Sequence, residues 1–418
     1  MTNLRKLYLI IDAVIVVLLI LLIVFAFTRR DNGGNYYINA QKAFNKAEEA
    51  SASWDTNDPK KLNELSALYR KVFDGYPDSR WADDAIYRLA SKIEPSEEEA
   101  MILYRRLIRD YPDSEYVPQA VYTIGMGHFD KGEYISAIAE FGRLISDYPN
   151  NVLAEKALFN TAMSRYSLGK WNEAMLEFQE FENRFPKSDL VDDAETYRGI
   201  ASINNKDFDT GIEILKQVIQ KYPSSDSADR AQFNISAAYF DQDKFDEAIA
   251  GFDKLINTYP SSDFIEEAKI MLSSSYERKG NDQKAIANLR KFLAQYPESK
   301  YAVEAEGFLA EIYRTKLKDF KSAIETYQKI ADNINYEYNA RKNAQFQVGQ
   351  LYESQSNYTK AIEAYNRLIT DFVNPLSTPN HPADKIDKAY IISLQNKQIK
   401  TPGQVVPENK EELGQQAK

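Results

Sequence analysis

Two imidazoles, His128 and His381, are the only histidines in this 418-residue chain, and they stand far apart. The sequence contains no cysteine, which removes thiol catalysis, disulfides and cysteine-ligated metal. Neither a paired-histidine metal motif nor a nucleophile–histidine triad from neighbouring segments is expected. His128 shares its repeat slot with Tyr239 and is expected to pack. Asp192-Asp193 and Glu266-Glu267 open predicted helices, where negative charge offsets the positive end of the helix dipole. No dinucleotide fingerprint, phosphate loop or H-E-x-x-H occurs. Gly125-Met126-Gly127 falls within a predicted helix and serves close helix approach. We therefore expect no catalytic residue, metal, cofactor or small-molecule substrate: the protein is not expected to be an enzyme.

The remaining chemistry is that of large apolar side chains. Tyr122, Phe159, Phe233, Ile270, Phe308 and Phe346 each stand fifteen residues before a recurring small residue. Phe129, Tyr166 and Phe240 come seven residues after Tyr122, Phe159 and Phe233, and Met126 and Met163 fall between. Two readings stay open. The rings pack against neighbouring helices, or they line a groove for a protein or peptide partner, since aromatics dominate binding energetics at interfaces. On the second reading the partner-binding candidates are Tyr122, Met126, Phe129, Phe159, Met163, Tyr166, Phe233 and Phe240.

What must position them is a repeat. Ala100, Ala137, Ala174, Gly211, Ala248, Ala285, Ala323 and Ala361 recur every 37 or 38 residues. Tyr or Phe followed by Pro recurs at Pro77, Pro112, Pro149, Pro186, Pro223, Pro260 and Pro297. A fixed period of this length marks an array of small structural units. Each unit reads as two helices: Ala154–Leu168 carries apolar residues at helical spacing until Gly169, and Asn172–Phe185 runs until Pro186. Ser188 and Asp189 are expected to cap the next first helix.

In Gly125-x8-Tyr134-x2-Ala137-x3-Phe141 and Ser236-x8-Phe245-x2-Ala248-x3-Phe252 the order small, aromatic, small, aromatic resembles the tetratricopeptide repeat. The longer period and the Tyr-Pro-x-Ser turn are similar to BamD-like outer-membrane assembly lipoproteins and Tol-Pal-associated periplasmic repeat proteins, over residues 60–372. The resemblance implies an all-α solenoid of helix pairs whose first helices line a concave, protein-binding groove. It also shows departures. No cysteine is available for a lipid anchor, the array has about nine pairs, Asp282 replaces the aromatic of Trp171 and Phe245, and Asn335-Tyr336 replaces a Tyr-Pro turn.

Residues 7–27 are a continuous apolar run of about 31 Å as a helix, matching a hydrocarbon core of about 30 Å. They are longer than a cleaved signal region and lack a good cleavage site, so a single transmembrane anchor is expected. Asp12 lies near its end and is expected to reach back toward Lys6. Arg5 and Lys6 before the run nearly balance Arg29 and Arg30 after it; the short leading segment favours repeats outside the cytoplasm.

The expected organisation is a cytoplasmic tail at 1–6, anchor at 7–27, linker at 28–35, tetratricopeptide-type solenoid at 36–372, and a Pro-rich segment at 373–418. That last segment includes a possible capping helix at 383–397, with Ile386, Ala389, Tyr390 and Ile392 covering the last repeat, and a disordered tail. A net charge of −10 with no long basic run argues against nucleic acid. The function expected is a scaffold anchored in the bacterial inner membrane with repeats facing the periplasm, acting in envelope or outer-membrane assembly or as a chaperone-like adaptor. The alternative is a membrane-bound adaptor facing the cytoplasm. The layout is also similar to translocon-associated periplasmic repeat proteins.

Overall fold

The structure is a computed structural model that describes residues 35–52, 59–93, 96–372, 386 and 388–400. The expected tail, anchor, most of the linker, residues 373–385 and residues 401–418, with His381, lie outside the described residues. Within the described residues no helix is long and apolar enough to cross a membrane.

Every regular element among the described residues is a helix, in a helix-repeat solenoid of the tetratricopeptide type. The chain forms two compact units, one up to Asn205 and one from Lys206. The first holds α1 (35–52), α2 (Pro59–Gly75), α3 (Ala82–Arg88, running into a π turn at Leu89–Ile93), α4 (Glu97–Asp110), α5 (Val117–Asp130), α6 (Tyr134–Asp147), α7 (Val152–Ser167), α8 (Trp171–Arg184) and α9 (Val191–Asn204). The second holds α10 (Phe208–Lys221), α11 (Asp226–Asp241), α12 (Phe245–Thr258), α13 (Ile265–Arg278), α14 (Asp282–Gln295), α15 (Ala302–Ile312, with a π turn at Tyr313–Leu317), α16 (Phe320–Asp332), α17 (Tyr338–Ser354), α18 (Tyr358–Phe372) and α19 (Lys388–Lys400). Within each unit, consecutive helices pack on one another.

The recurring small residue sits where the helices of a pair cross. Ala137, Ala174, Gly211, Ala248, Ala285, Ala323 and Ala361 are buried, and so is the large residue one turn on: Phe141, Phe178, Leu215, Phe252, Leu289, Tyr327 and Tyr365. The partner helix must then thin out. A Cβ on Gly125 would lie 2.6 Å from the Phe141 ring, and one on Gly349 would lie 2.3 Å from that of Tyr365. The reading of Gly125-Met126-Gly127 as a close-approach element therefore holds, with Gly127 also pressed against Met101.

The aromatic-Pro-x-Ser run is a turn closed by its own backbone. The N–H of Ser114, Asn151, Ser188, Ser225, Ser262 and Ser299 donates to the carbonyl of the aromatic three residues earlier, at 3.0–3.2 Å. Proline suits such a turn because its φ is preset and it has no N–H to leave unpaired. Ser188 differs from its expected role: the N-cap of α9 is Leu190, which makes no side-chain cap. The Ser188 hydroxyl instead accepts from the Leu190 N–H at 3.0 Å and donates to Glu155 of the preceding first helix, fixing the turn rather than the helix end. Asp192-Asp193 and Glu266-Glu267 do lie in the first turns of α9 and α13.

Between the two helices of a repeat the backbone turns through a left-handed residue. Gly132, Gly169 and Gly280 adopt φ of 74°, 70° and 82°. At the same repeat position Lys206, Asp243, Lys318 and Ser356 adopt 67°, 56°, 54° and 59°. Helix α19 covers the last repeat as expected in kind but not in face. Ile386, Ile391 and Leu394 are buried, whereas Ile392 is 55% exposed. The helix begins at Lys388, and the face toward α18 is set by Ile391 and Leu394, three residues apart.

Candidate partner-binding site

Residues at i, i+4 and i+7 share one helix face, so Tyr122, Met126 and Phe129 line one side of α5, Phe159, Met163 and Tyr166 the same side of α7, and Phe233 and Phe240 that of α11. All eight are half-buried. None stands free of its neighbours. Phe159 meets Phe178 and Phe181 edge-on at 5.8 and 5.6 Å; Phe233 stacks on Phe264 at 5.0 Å; Phe240 meets Phe245 at 5.6 Å. Phe129 meets Tyr134 at 5.4 Å, and Tyr166 meets Trp171 at 5.1 Å and Tyr197 at 5.5 Å. Their register-mates Ile270 and Phe346 are more deeply buried, at 7% and 6% exposure. The register is thus part core and part surface: Phe308 on α15 is half-buried like its counterparts on α5, α7 and α11.

The first unit adds a polar thread that sequence reasoning missed. Asn160 donates to the Tyr122 hydroxyl at 3.0 Å and approaches the Met126 sulfur at 3.3 Å. Asn204 donates to the Tyr166 hydroxyl at 3.1 Å. Each pair lies 38 residues apart. The available signal was an asparagine one residue beyond the period from each tyrosine. Burial, the largest cause, raises the pKa of both hydroxyls above the ordinary tyrosine range, with the asparagine bond opposing it. Both phenols are therefore neutral at physiological pH. A hydroxyl that accepts from an amide still has its own proton to give.

Among the described residues no group of three or more His, Cys, Asp or Glu side chains could hold a metal. His128 departs from the packing role expected of it. Its Nδ1 lies 2.5 Å from Glu133 and its Nε2 3.1 Å from Arg105. Because a guanidinium can only donate, Nε2 accepts and Nδ1 carries the proton toward Glu133. The ring is a polar bridge between α4, α5 and the start of α6, where a tyrosine in this slot would only fill space.

With this geometry in hand, the comparisons with known proteins are informative. The family described as outer membrane lipoprotein (YfiO) matches residues 117–274 and 191–335, together just over half of the chain. The chain belongs to that family. A tetratricopeptide-repeat family matches residues 343–374, so family matches extend into α18. No curated protein matches the chain. Among solved structures, a tetratricopeptide repeat protein from Parabacteroides merdae is 14% identical, covering 68% of this chain and 98% of its own, with a TM-score of 0.43. The C-terminal part of a repeat protein from Cytophaga hutchinsonii is 16% identical, covering 62% and 96%, with a TM-score of 0.46. Family membership places α5–α16 within the matched outer-membrane-lipoprotein repeats.

Proposed function

We propose that the protein is a protein–protein interaction scaffold of the bacterial cell envelope that holds an extended polypeptide along its first-helix face and serves envelope or outer-membrane assembly. One observation carries this reading: aromatic and methionine side chains stand half-exposed at one register on α5, α7 and α11, with neutral tyrosine hydroxyls among them in the first unit. Apolar side chains of a partner lie against the rings, and its backbone carbonyls accept from Tyr122 and Tyr166. Family membership supports the envelope setting. With no cysteine in the sequence to carry lipid, residues 7–27 take the place of a lipid anchor, in the inner membrane, with the repeats in the periplasm.

The test uses full-length protein crosslinked in native membranes and purified with its bound polypeptide. Phe159→Ala with Tyr166→Ala should weaken capture at least tenfold, since an aromatic anchor contributes about 2 kcal/mol or more. The same pair should lower stability by less than the about 3–5 kcal/mol per residue typical of fully buried aromatics. Loss of a cooperative melt, or unchanged capture, would assign these rings to the core and remove the groove.

A further inference from the structure

In the second unit, α10, α11 and α12 leave a cleft of about 360 Å³ lined by none of the candidate groove residues. Its apolar lining comes from Ile219, Ile235, Ala250 and Gly251, with Tyr239 at the wall. Lys216 and Lys254 stand at its rim, with Glu247 the one acidic group among the lining residues. Gly251 lies where α12 packs against α11. In α8, two periods earlier, the same register position is Glu177, whose carboxylate accepts from Arg165 at 2.5 Å. Lys254 likewise stands where α8 has Glu180. Gly251 lets α12 approach α11 closely, because a Cβ there would lie 2.4 Å from the Ser236 hydroxyl. Beneath it Gln232, 4% exposed, donates to the Gly251 carbonyl at 3.3 Å and so braces the floor.

Lys216 and Lys254 are both exposed and offer two cations at the mouth of the cleft. An apolar floor under a cationic rim selects a ligand that is apolar at its tip and anionic beside it.

We infer that this cleft is a second docking site, for a short acidic segment of a partner protein that inserts one large apolar side chain between Tyr239 and Ala250 and sets its flanking carboxylates against Lys216 and Lys254. The site does not depend on the first-helix groove. Opposite charges at an exposed rim steer association and lose strength with salt, whereas the apolar insertion does not.

The experiment is fluorescence anisotropy of full-length protein in nanodiscs with three labelled hexapeptides sharing a central Phe-Leu: one flanked by aspartate and glutamate, one by serine, one by lysine. The acidic probe should bind, weaken as salt rises, and outcompete the serine probe; the lysine probe should not bind. Lys216→Glu with Lys254→Glu should reduce acidic-probe affinity at least tenfold. Ala250→Trp, on an exposed position, should block it while leaving the melting temperature unchanged. Phe159→Ala should leave this binding intact, which separates the cleft from the first-helix groove. Equal binding of all three probes, or acidic-probe binding unaffected by the double lysine change, would overturn the inference. So would failure of the acidic probe to bind while anionic vesicles bind in a lysine-dependent way.

Discussion

At the scale of single residues, the most informative position is the left-handed one between the helices of a repeat. A residue with a Cβ in that conformation costs roughly 1–2 kcal/mol, while glycine there gives back part of that gain through the freedom of the unfolded chain. Lys206→Gly should therefore raise stability by about 0.5–1 kcal/mol, read as an increase in melting temperature. Asp243→Gly should gain less, since aspartate tolerates this conformation better and its carboxylate is bonded by Arg278 at 3.0 Å. Gly169→Ala, at φ of 70°, should lose about 1 kcal/mol. A lower melting temperature for Lys206→Gly would show that its side chain, which lies over Phe208, matters more than its backbone.

Helix pairs respond to pH through their buried phenols. Burial pushes Tyr104, Tyr111, Tyr327, Tyr336 and Tyr390 up to about 12, from an ordinary tyrosine value of about 10. A pKa higher in the folded state means the neutral phenol is favoured by folding. Its contribution is complete below about pH 10 and is lost as pH rises toward about 12. Stability should thus be flat through neutral pH and fall across that alkaline window, with tyrosinate absorbance appearing late and together with loss of helicity. Early tyrosinate absorbance in a fully helical protein would contradict the packing described for these rings. Tyr336 shows why one pair is unusual. Its register turn lacks Tyr-Pro, and beside it stands Glu306, the residue after Ala305, which holds the slot filled elsewhere by Ala120, Ala157, Ala194, Ala231 and Ala268. Glu306 is 2% exposed, ion-paired with Lys329, and retains one oxygen without a hydrogen-bond partner.

At the scale of the whole molecule, repeat units that contact mainly their neighbours make stability near-additive along the array. Deleting one full period, Gly211 to Glu247, should leave a helical protein with a cooperative melt. Deleting half of it should not, because a second helix would then meet a second helix with no small-residue slot to receive its aromatic. Equal tolerance of both deletions would dismiss the repeat frame. Topology is tested separately: a reporter active only after export, fused after Lys418, should be active. An inactive fusion in a stably expressed protein would favour the cytoplasm-facing adaptor.

The order of helices, their pairing and the crossing slots were all legible from one sequence, because a residue type that repeats every 37 or 38 positions encodes local geometry again and again. Ala137 under Phe141, the Pro-closed turns and the glycine break at Gly169 needed no tertiary information. What lay outside that reach involves partners from different repeats or from separate helices. The bond from Asn160 to Tyr122 joins residues one position off the period, so periodicity alone did not pair them. The face of α19 was misread at Ile392 because a terminal helix has no repeat to calibrate it. His128 looked like a packing residue by register, and became a bridge because Arg105 and Glu133 happened to approach it from two other helices. The cleft beside Gly251 is visible only once α10, α11 and α12 are packed, because its lining residues come from three separate helices.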